Sequence, residues 1–337
     1  MKFLNRITPN HIFLLITCVY MAGFFAHALY LQKTVYGDGV YYYAWLTLTP
    51  SKFSVGPALF WAPVYFLTHN QVVVGASSVL ATIFALILLW DLLQKKFSKI
   101  VSLMTIAAIA GASNLLFYGS LDVVNSHALT FFAAVVFLCL LHARRWFIIG
   151  CALGLVGLMR TQDLLYGILL VPVLHRKNVL PIMFGFLLTF FPQLLAWQVG
   201  FGKFWISPYL TGSERFDFLE PHIGEVLFNT KNGLFLWTPI TLIGLVGLVT
   251  AKRYWMLAVF LLELFIVASW STWSQGASYS GRMLVSSLPI LAFGIAEIFS
   301  WLARHRFTSL YFLLAVIAPL SIINALSIIY FLLSLRV

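Results

Sequence analysis

Charged side chains are scarce in this sequence. Asp, Glu, Lys and Arg make up 9% of the 337 residues, hydrophobic residues make up 61%, and the mean hydropathy is +0.95. A water-soluble domain of this length could not cover its surface with so few polar groups. We therefore predict an all-α polytopic integral membrane protein. Its aromatic residues, 17% of the chain, suit lipid-facing positions and the interfacial belts of a membrane.

Cysteine and acidic residues are also few. The three cysteines, Cys18, Cys139 and Cys151, lie inside apolar runs, which argues against a disulfide framework or a cysteine-based metal site. His127 has no partner at a ligand-like spacing, so no metal site and no cofactor is predicted. The net charge of +11 lies mostly in short loops, where it orients a membrane protein, and it does not indicate nucleic-acid binding.

Long apolar runs, in contrast, are abundant. About eleven of them approach the length needed to cross a hydrocarbon core of ~30 Å. They lie at about 12–31, 72–93, 100–118, 126–142, 146–159, 164–175, 179–199, 236–250, 254–270, 283–301 and 308–333. The fifth and sixth runs are short for a full crossing, which leaves the number of spans around 146–175 open.

Positive charge recurs in alternate short loops, which the positive-inside rule places in the cytoplasm. These residues are Lys2, Arg6, Lys95, Lys96, Lys99, Arg144, Arg145, Arg176, Lys177, Lys252, Arg253, Arg304 and Arg306. The opposite face then receives most acidic residues, namely Asp38, Asp122, Asp163, Glu214, Asp217, Glu220 and Glu225. Any chemistry is therefore expected on the extracytoplasmic side.

We interpret residues 1–337 as a single membrane domain with two larger extracytoplasmic loops, at 36–70 and 200–235. In the first loop, Asp38 stands between two glycines. It can cap a short helix through Val40 to Leu48 that lies in the membrane interface with Tyr41, Trp45 and Leu48 on one stripe. Prolines in the following stretch favour a second short surface helix. As an alternative to any chemical role, Asp38 is only a helix cap.

The segments GDGVYYYAW and SVGPALFWAP resemble the first loop of the GT-C superfamily of membrane glycosyltransferases, in particular bacterial proteins similar to protein O-mannosyltransferases and aminoarabinose transferases. The family's acid and tyrosine correspond to Asp38 and Tyr42, and its later Pro-Leu and Trp positions to Pro57, Leu59 and Trp61. The resemblance implies a GT-C-like bundle with short interfacial helices in this loop.

Two positions depart from the family pattern. Gly39 replaces its second acid, and Val55-Gly56 replaces its Lys-Pro pair, with Lys52 a few residues earlier as a possible substitute. Metal dependence is therefore left open.

The resemblance also implies an activity: inverting transfer of a sugar from a polyprenyl-phosphate-linked donor to an acceptor hydroxyl, at the extracytoplasmic face of a bacterial inner membrane. Asp38 is the candidate general base. Arg160, Arg282 and Lys52 are candidates for binding the donor phosphate. Alternatively, Arg160 forms a salt bridge to Asp163 or reaches the interface, and Arg282 is an interfacial anchor. Lipid, glycan and protein acceptors all stay open, with membrane lipids as the surroundings.

Further candidates for binding substrate are Tyr42, Asp122, His127, Lys231 and Trp273. For Asp122 and His127 the alternative is a helix start capped by Asn125 or Ser126, with a solvated aspartate. Trp273, like its neighbour Trp270, can instead be an interfacial belt residue. Glu263 lies in the middle of a span, and we interpret it as a structural hydrogen-bonding group.

Two other functions fit parts of the sequence. A lipid or lipid-linked-sugar flippase would have charged residues at mid-membrane, which Glu263 satisfies, together with inverted repeats, which we do not find. A non-enzymatic membrane assembly subunit would account for a chain without a soluble domain.

Overall fold

A computed structural model describes residues 8–141, 143, 145–205, 207–210, 214–304 and 310–335, with side chains left out for 310–314. The basic residues Lys2, Arg6, Arg144 and Arg306 lie outside the described residues. Within the described part, the chain is helical apart from its loops and one isolated bridge between Phe216 and Trp270.

Fifteen α-helices follow one another along the described chain. They are α1 (Pro9–Leu31), α2 (Gly39–Ala44), α3 (Gly56–Thr68), α4 (Gln71–Gln94), α5 (Lys99–Ala112), α6 (Leu115–Ser120), α7 (His127–Leu141), α8 (Trp146–Met159), α9 (Arg176–Phe201), α10 (Ile223–Phe228), α11 (Leu234–Trp237), α12 (Ile240–Thr250), α13 (Tyr254–Ser269), α14 (Leu288–Arg304) and α15 (Leu310–Ser334). The 3₁₀ helices are Trp45–Thr47, Thr161–Val173, Pro208–Leu210 and Arg282–Ser287.

Five helical segments are long and apolar enough to cross a membrane: Pro9–Leu31, Gln71–Gln94, Arg176–Phe201, Arg282–Arg304 and Ala315–Ser334. Six shorter apolar helices accompany them. An all-helical membrane protein is therefore supported, and its apolar helices coincide with the runs identified in the sequence. The number of about eleven crossings stays a prediction.

The structure explains why the fifth and sixth predicted spans, 146–159 and 164–175, are short. Helix α8 rises for about 21 Å and ends at Met159. Arg160 then adopts an extended conformation, with φ −160° and ψ 118°, and the chain turns into the 3₁₀ helix Thr161–Val173. Both Arg160 and Asp163 are buried at this turn. These two segments are short because they meet inside the protein.

The first loop contains the two expected short helices, with a correction to the first. Helix α2 ends at Ala44 and continues as the 3₁₀ turn Trp45–Thr47. Tyr41 is exposed, but Trp45 is buried and its indole N–H donates to the Phe53 carbonyl at 3.0 Å. The interfacial stripe predicted from a continuous helix is therefore wrong, because Trp45 packs into the protein and bonds to the chain at Phe53. The second helix, α3, is joined to α4 by the buried Trp61, which donates to Ser78 at 2.8 Å.

A buried polar network supports the segment before Arg282. The Asn114 side chain donates to the Ser280 carbonyl at 2.5 Å, and the Tyr118 hydroxyl donates to the Tyr279 carbonyl at 2.7 Å. The Ser280 hydroxyl lies 2.8 Å from that of Thr238. Since unpaired polar groups are costly in an apolar interior, these bonds fix the path of the loop and hence the start of the 3₁₀ helix at Arg282.

The arrangement of the loops predicts which positions are accessible from each side of the membrane. Lys95 and Glu220 are both exposed, at the end of α4 and in the loop before α10. With cysteine at 95, an impermeant maleimide should label the protein from the cytoplasmic side only, and with cysteine at 220 from the opposite side only. The unmodified chain, with its three native cysteines, gives the background. Labelling of both positions from one side would contradict the orientation.

Close backbone packing of α12 against α14 generates a second prediction. A Cβ atom at Gly247 would lie 1.9 Å from the Gly294 carbonyl oxygen. We expect Gly247→Ala to force the helices apart and lower the free energy of unfolding by about 1–3 kcal/mol. Gly224→Ala is the matched control, because nothing lies within 4 Å of the added atom. Equal thermal unfolding midpoints for the two variants in detergent would refute this packing.

Candidate active site

A cavity of about 280 Å³ opens at the end of the bundle that carries the 36–70 loop. Six of the nine residues singled out in the sequence line it: Asp38, Tyr42, Lys52, His127, Arg160 and Arg282. They come from α2, the first loop, α7, the end of α8 and the 3₁₀ helix Arg282–Ser287. The fold thus gathers in one place residues that are distant in the sequence.

An ion pair between Asp38 and Arg282 lies on the wall of this cavity. Oδ2 of Asp38 is 2.8 Å from Nη1 of Arg282, and both side chains are partly exposed. Asp38 precedes α2 but makes no side-chain capping hydrogen bond. The carboxylate is therefore directed at the guanidinium group rather than at the helix start.

The two glycines on either side of Asp38 are required for different structural reasons. Gly37 has a φ of +53°, which favours glycine. At Gly39, a Cβ atom would lie 2.1 Å from the Val124 carbonyl oxygen, so no side chain fits. The backbone approach of α2 to the loop before α7 thus excludes any side chain at position 39.

Arg160 is buried between two cavities. Its Nη1 donates to the Met283 carbonyl at 3.1 Å and its Nη2 to Oε1 of Gln162 at 3.3 Å. The salt bridge to Asp163 considered above is not among the ion pairs of the described residues. Reaching the interface is also wrong for Arg160, since its side chain faces the protein interior.

A second, more apolar cavity of about 210 Å³ adjoins the first. The two share Tyr42, Arg160, Tyr209, Trp270 and Met283 on their walls. The second cavity adds an apolar side lined by Leu210, Phe216, Ile266 and Val267. A cation therefore stands at the junction of a polar and an apolar compartment.

Lys52 joins the two large loops across the cavity. Its ammonium group forms an ion pair with Glu214, and it lies 5.5 Å from the ring centroids of both Phe53 and Tyr209. Its positive charge is thus already compensated. Glu214 and Tyr209 were not recognised as site residues from the sequence, because nothing in it signals a pairing of two loops so far apart.

Tyr42 and His127 meet the cavity through short local bonds. The Ser126 hydroxyl donates to the Tyr42 oxygen at 2.9 Å, and burial raises the pKa of Tyr42. Oδ1 of Asn125 accepts from the His127 N–H at 2.8 Å, which agrees with the capping alternative for this turn. Nδ1 of His127 is buried and has no hydrogen-bond partner in the described structure, although the ring packs on Tyr118.

Asp122 lies behind the cavity wall rather than on it. Its carboxylate interacts electrostatically with Arg282 and Asp38, and the nearby Tyr36 hydroxyl donates to the Leu121 carbonyl at 3.2 Å. Burial raises the pKa of Asp122 to about 6, and the nearby Arg282 charge opposes this rise. Asp122 can therefore alter the electrostatic potential at Asp38 and Arg282 without contacting a ligand itself.

Lys231 and Trp273, both predicted to bind substrate, do not line the cavity. Lys231 is exposed in the turn between α10 and α11. Trp273 stacks on His222 with ring centroids 4.5 Å apart. Trp270 lines both cavities instead, because the chain turns after α13 and directs Trp273 away. Among the described residues, no three His, Cys, Asp or Glu side chains are grouped as a metal site requires.

Comparison of the chain with protein-family models, with curated proteins and with solved structures gave no match. The residues of the cavity and the resemblance in the first loop are therefore what indicate a function.

The position of Asp122 predicts a pH effect on stability. Its pKa is raised in the folded state, so the folded protein binds this proton more tightly than the unfolded chain does. Its contribution to stability should therefore fall as pH rises from about 4 to about 6, and Asp122→Asn should remove that fall. Unfolding midpoints across this range test the expectation, with Asp91→Asn at an exposed site on α4 as control. Parallel curves for wild type and Asp122→Asn would contradict it.

Proposed function

We propose that this protein transfers a sugar from a polyprenyl-phosphate-linked donor to an acceptor hydroxyl, by an inverting GT-C-type reaction at the extracytoplasmic side of the membrane. The observation that carries the proposal is the cavity in which Asp38, Arg282 and Arg160 meet. A carboxylate and two guanidinium groups are the charges that deprotonation of a hydroxyl and departure of a phosphate require.

The adjoining apolar cavity supports a donor carried on a lipid. Its wall of Leu210, Phe216, Ile266 and Val267 suits an isoprenoid chain, and Arg160 stands where such a chain would end in its phosphate. Guanidinium groups bind phosphate through two parallel N–H bonds. The sugar would then lie in the polar cavity, within reach of Asp38.

The reaction is a single displacement. The acceptor oxygen forms a bond to the anomeric carbon as the bond from that carbon to the phosphate oxygen breaks. The phosphate keeps the electron pair, and the proton of the acceptor hydroxyl passes to the Asp38 carboxylate. Arg160 and Arg282 stabilise the negative charge that grows on the leaving phosphate.

Binding of the donor has a consequence for Asp38. Nη1 of Arg282 is paired with the Asp38 carboxylate at 2.8 Å. A donor phosphate competes for the same guanidinium group. Once Arg282 turns to the phosphate, the carboxylate is left free to accept a proton. Under this proposal the base becomes available when the donor has bound.

Replacement of the base gives the direct test. Asp38→Asn keeps the side-chain size and removes the proton acceptor, so transfer should fall by about 10²–10⁴-fold. Asp38 makes no capping bond, so the loss is not expected to come from an unfolded α2. The measurement is transfer of radiolabel from a panel of polyprenyl-phosphate sugars by purified protein, together with binding of the same donors.

Glu220→Gln, at an exposed site away from the cavity, should transfer as wild type does and serves as the control. Undiminished transfer by Asp38→Asn would remove Asp38 as the base. If purified wild-type protein moves labelled lipid across vesicle membranes without transferring sugar, it is a flippase. If it does neither and acts only with other envelope proteins, it is an assembly subunit.

A further inference from the structure

Two acidic side chains are buried together beyond the cavity that contains Arg160. Asp163 belongs to the 3₁₀ helix Thr161–Val173 and Glu263 to α13, and both are fully inaccessible to solvent. About 15 Å of helix separate Glu263 from Arg253 at the start of α13, so this acid lies well inside an apolar helix. The role proposed for Asp38 uses neither of them.

Serines from the 3₁₀ helix Arg282–Ser287 bind one oxygen of each acid. The Ser286 hydroxyl donates to Oδ1 of Asp163 at 3.0 Å, and the Ser287 hydroxyl donates to Oε2 of Glu263. Adjacent serines of one 3₁₀ helix thus bind the two acids, which interact electrostatically with each other. A third contact, from the Tyr166 hydroxyl to the Ser286 carbonyl at 2.5 Å, fixes this serine in place.

The remaining oxygens have no partner. Oδ2 of Asp163 and Oε1 of Glu263 are both buried without a hydrogen bond in the described structure. A carboxylate oxygen in this position would be strongly destabilised, because it loses its water without gaining a donor. Two such oxygens in electrostatically interacting groups indicate that a proton belongs to the site.

The charges lead to the same conclusion. Arg160 interacts electrostatically with both acids and is the cation that faces them. Two ionised carboxylates and one guanidinium group would leave one uncompensated negative charge inside the membrane, which is costly. One bound proton brings the group to neutrality. It also removes the repulsion between two carboxylates, as in pairs that share a proton.

We propose that Asp163 and Glu263 form a buried proton-binding site that holds one shared proton at neutral pH, and that the remaining negative charge balances Arg160. The site is distinct from the cavity and does not depend on the identity of the sugar donor or on transferase activity.

Other titratable groups near the pair were considered. Tyr166 interacts electrostatically with both acids, and its hydroxyl is already used as a donor. The helices packed on these elements carry further titratable side chains, at His127 on α7, Cys139 on α7, Cys151 on α8, Glu225 on α10 and Glu297 on α14. Glu297 is paired with Arg253, and His127 lies at the cavity beyond Arg160.

Infrared difference spectroscopy of the purified full-length protein between neutral and alkaline pH tests the proposal. Wild-type protein should show the carbonyl stretch of one protonated carboxylic acid in a membrane-buried position. Glu263→Gln and Asp163→Asn should each lose that band, because the remaining carboxylate ionises against Arg160. Glu220→Gln, an exposed acid, should keep it. Absence of the band from the wild type at neutral pH would overturn the proposal.

The pH dependence of unfolding gives a second measurement that does not rely on a spectrum. Loss of the shared proton leaves two ionised carboxylates facing one cation. The free energy of unfolding of the wild type should therefore fall over the pH range in which this proton is lost. In Glu263→Gln the site carries one negative charge throughout, so this fall should be absent. The isosteric amide can still accept from Ser287, which favours folding of the variant. A sodium-dependent gain in the wild-type midpoint, in place of the pH effect, would assign the site to a metal cation and overturn the proton.

Discussion

The need to balance every charge that leaves water organises the loop end of this protein. A lone ion in an apolar interior is too costly to keep, and the three cations that line the described cavity all face carboxylates. Arg282 has Asp38 at 2.8 Å, Lys52 has Glu214, and Arg160 lies beside the acid pair. These partners come from segments far apart in the chain. Charge compensation therefore joins the two large loops and the short helices into one structure.

Backbone geometry determines which charges can meet. Helix α8 stops at Met159, and the extended residue that follows places Arg160 at the junction of two cavities. Gly39 lets α2 approach the Val124 carbonyl, which brings Asp38 to the cavity wall. The Asn114 bond to the Ser280 carbonyl holds the loop from which Arg282 emerges. Each charged side chain of the site is thus placed by a break in a helix or by a close backbone contact, and not by the regular part of a span.

The contrast between regular spans and the irregular segments that place the charges explains what could be predicted from the sequence. Hydropathy reports burial in lipid, so the apolar helices were found at nearly their observed positions. The segment GDGVYYYAW marked Asp38, and Arg282 was noticed because charged residues are rare in an apolar chain. Pairings between distant loops leave no local pattern, so Glu214 was missed and Trp273 was chosen where Trp270 lines the cavity. The early end of helix α2 was missed for a related reason, because the 3₁₀ turn at Trp45 depends on packing.

The pairing of Arg282 and Arg160 with carboxylates also affects how an anion would bind in the cavity. Arg282 is paired with Asp38 through Nη1, and Arg160 interacts electrostatically with the acid pair, so both cations on the cavity wall already face carboxylates. An anion that binds Arg282 at Nη1 must displace the Asp38 carboxylate. Under the proposed function, a phosphate that displaces Asp38 from Arg282 turns a paired carboxylate into an available base. A neutral sugar or a water molecule has no charge with which to make that exchange. The ion pair would then restrict proton abstraction to the moment when a phosphate-linked donor is present, which protects the reaction from an unproductive acceptor.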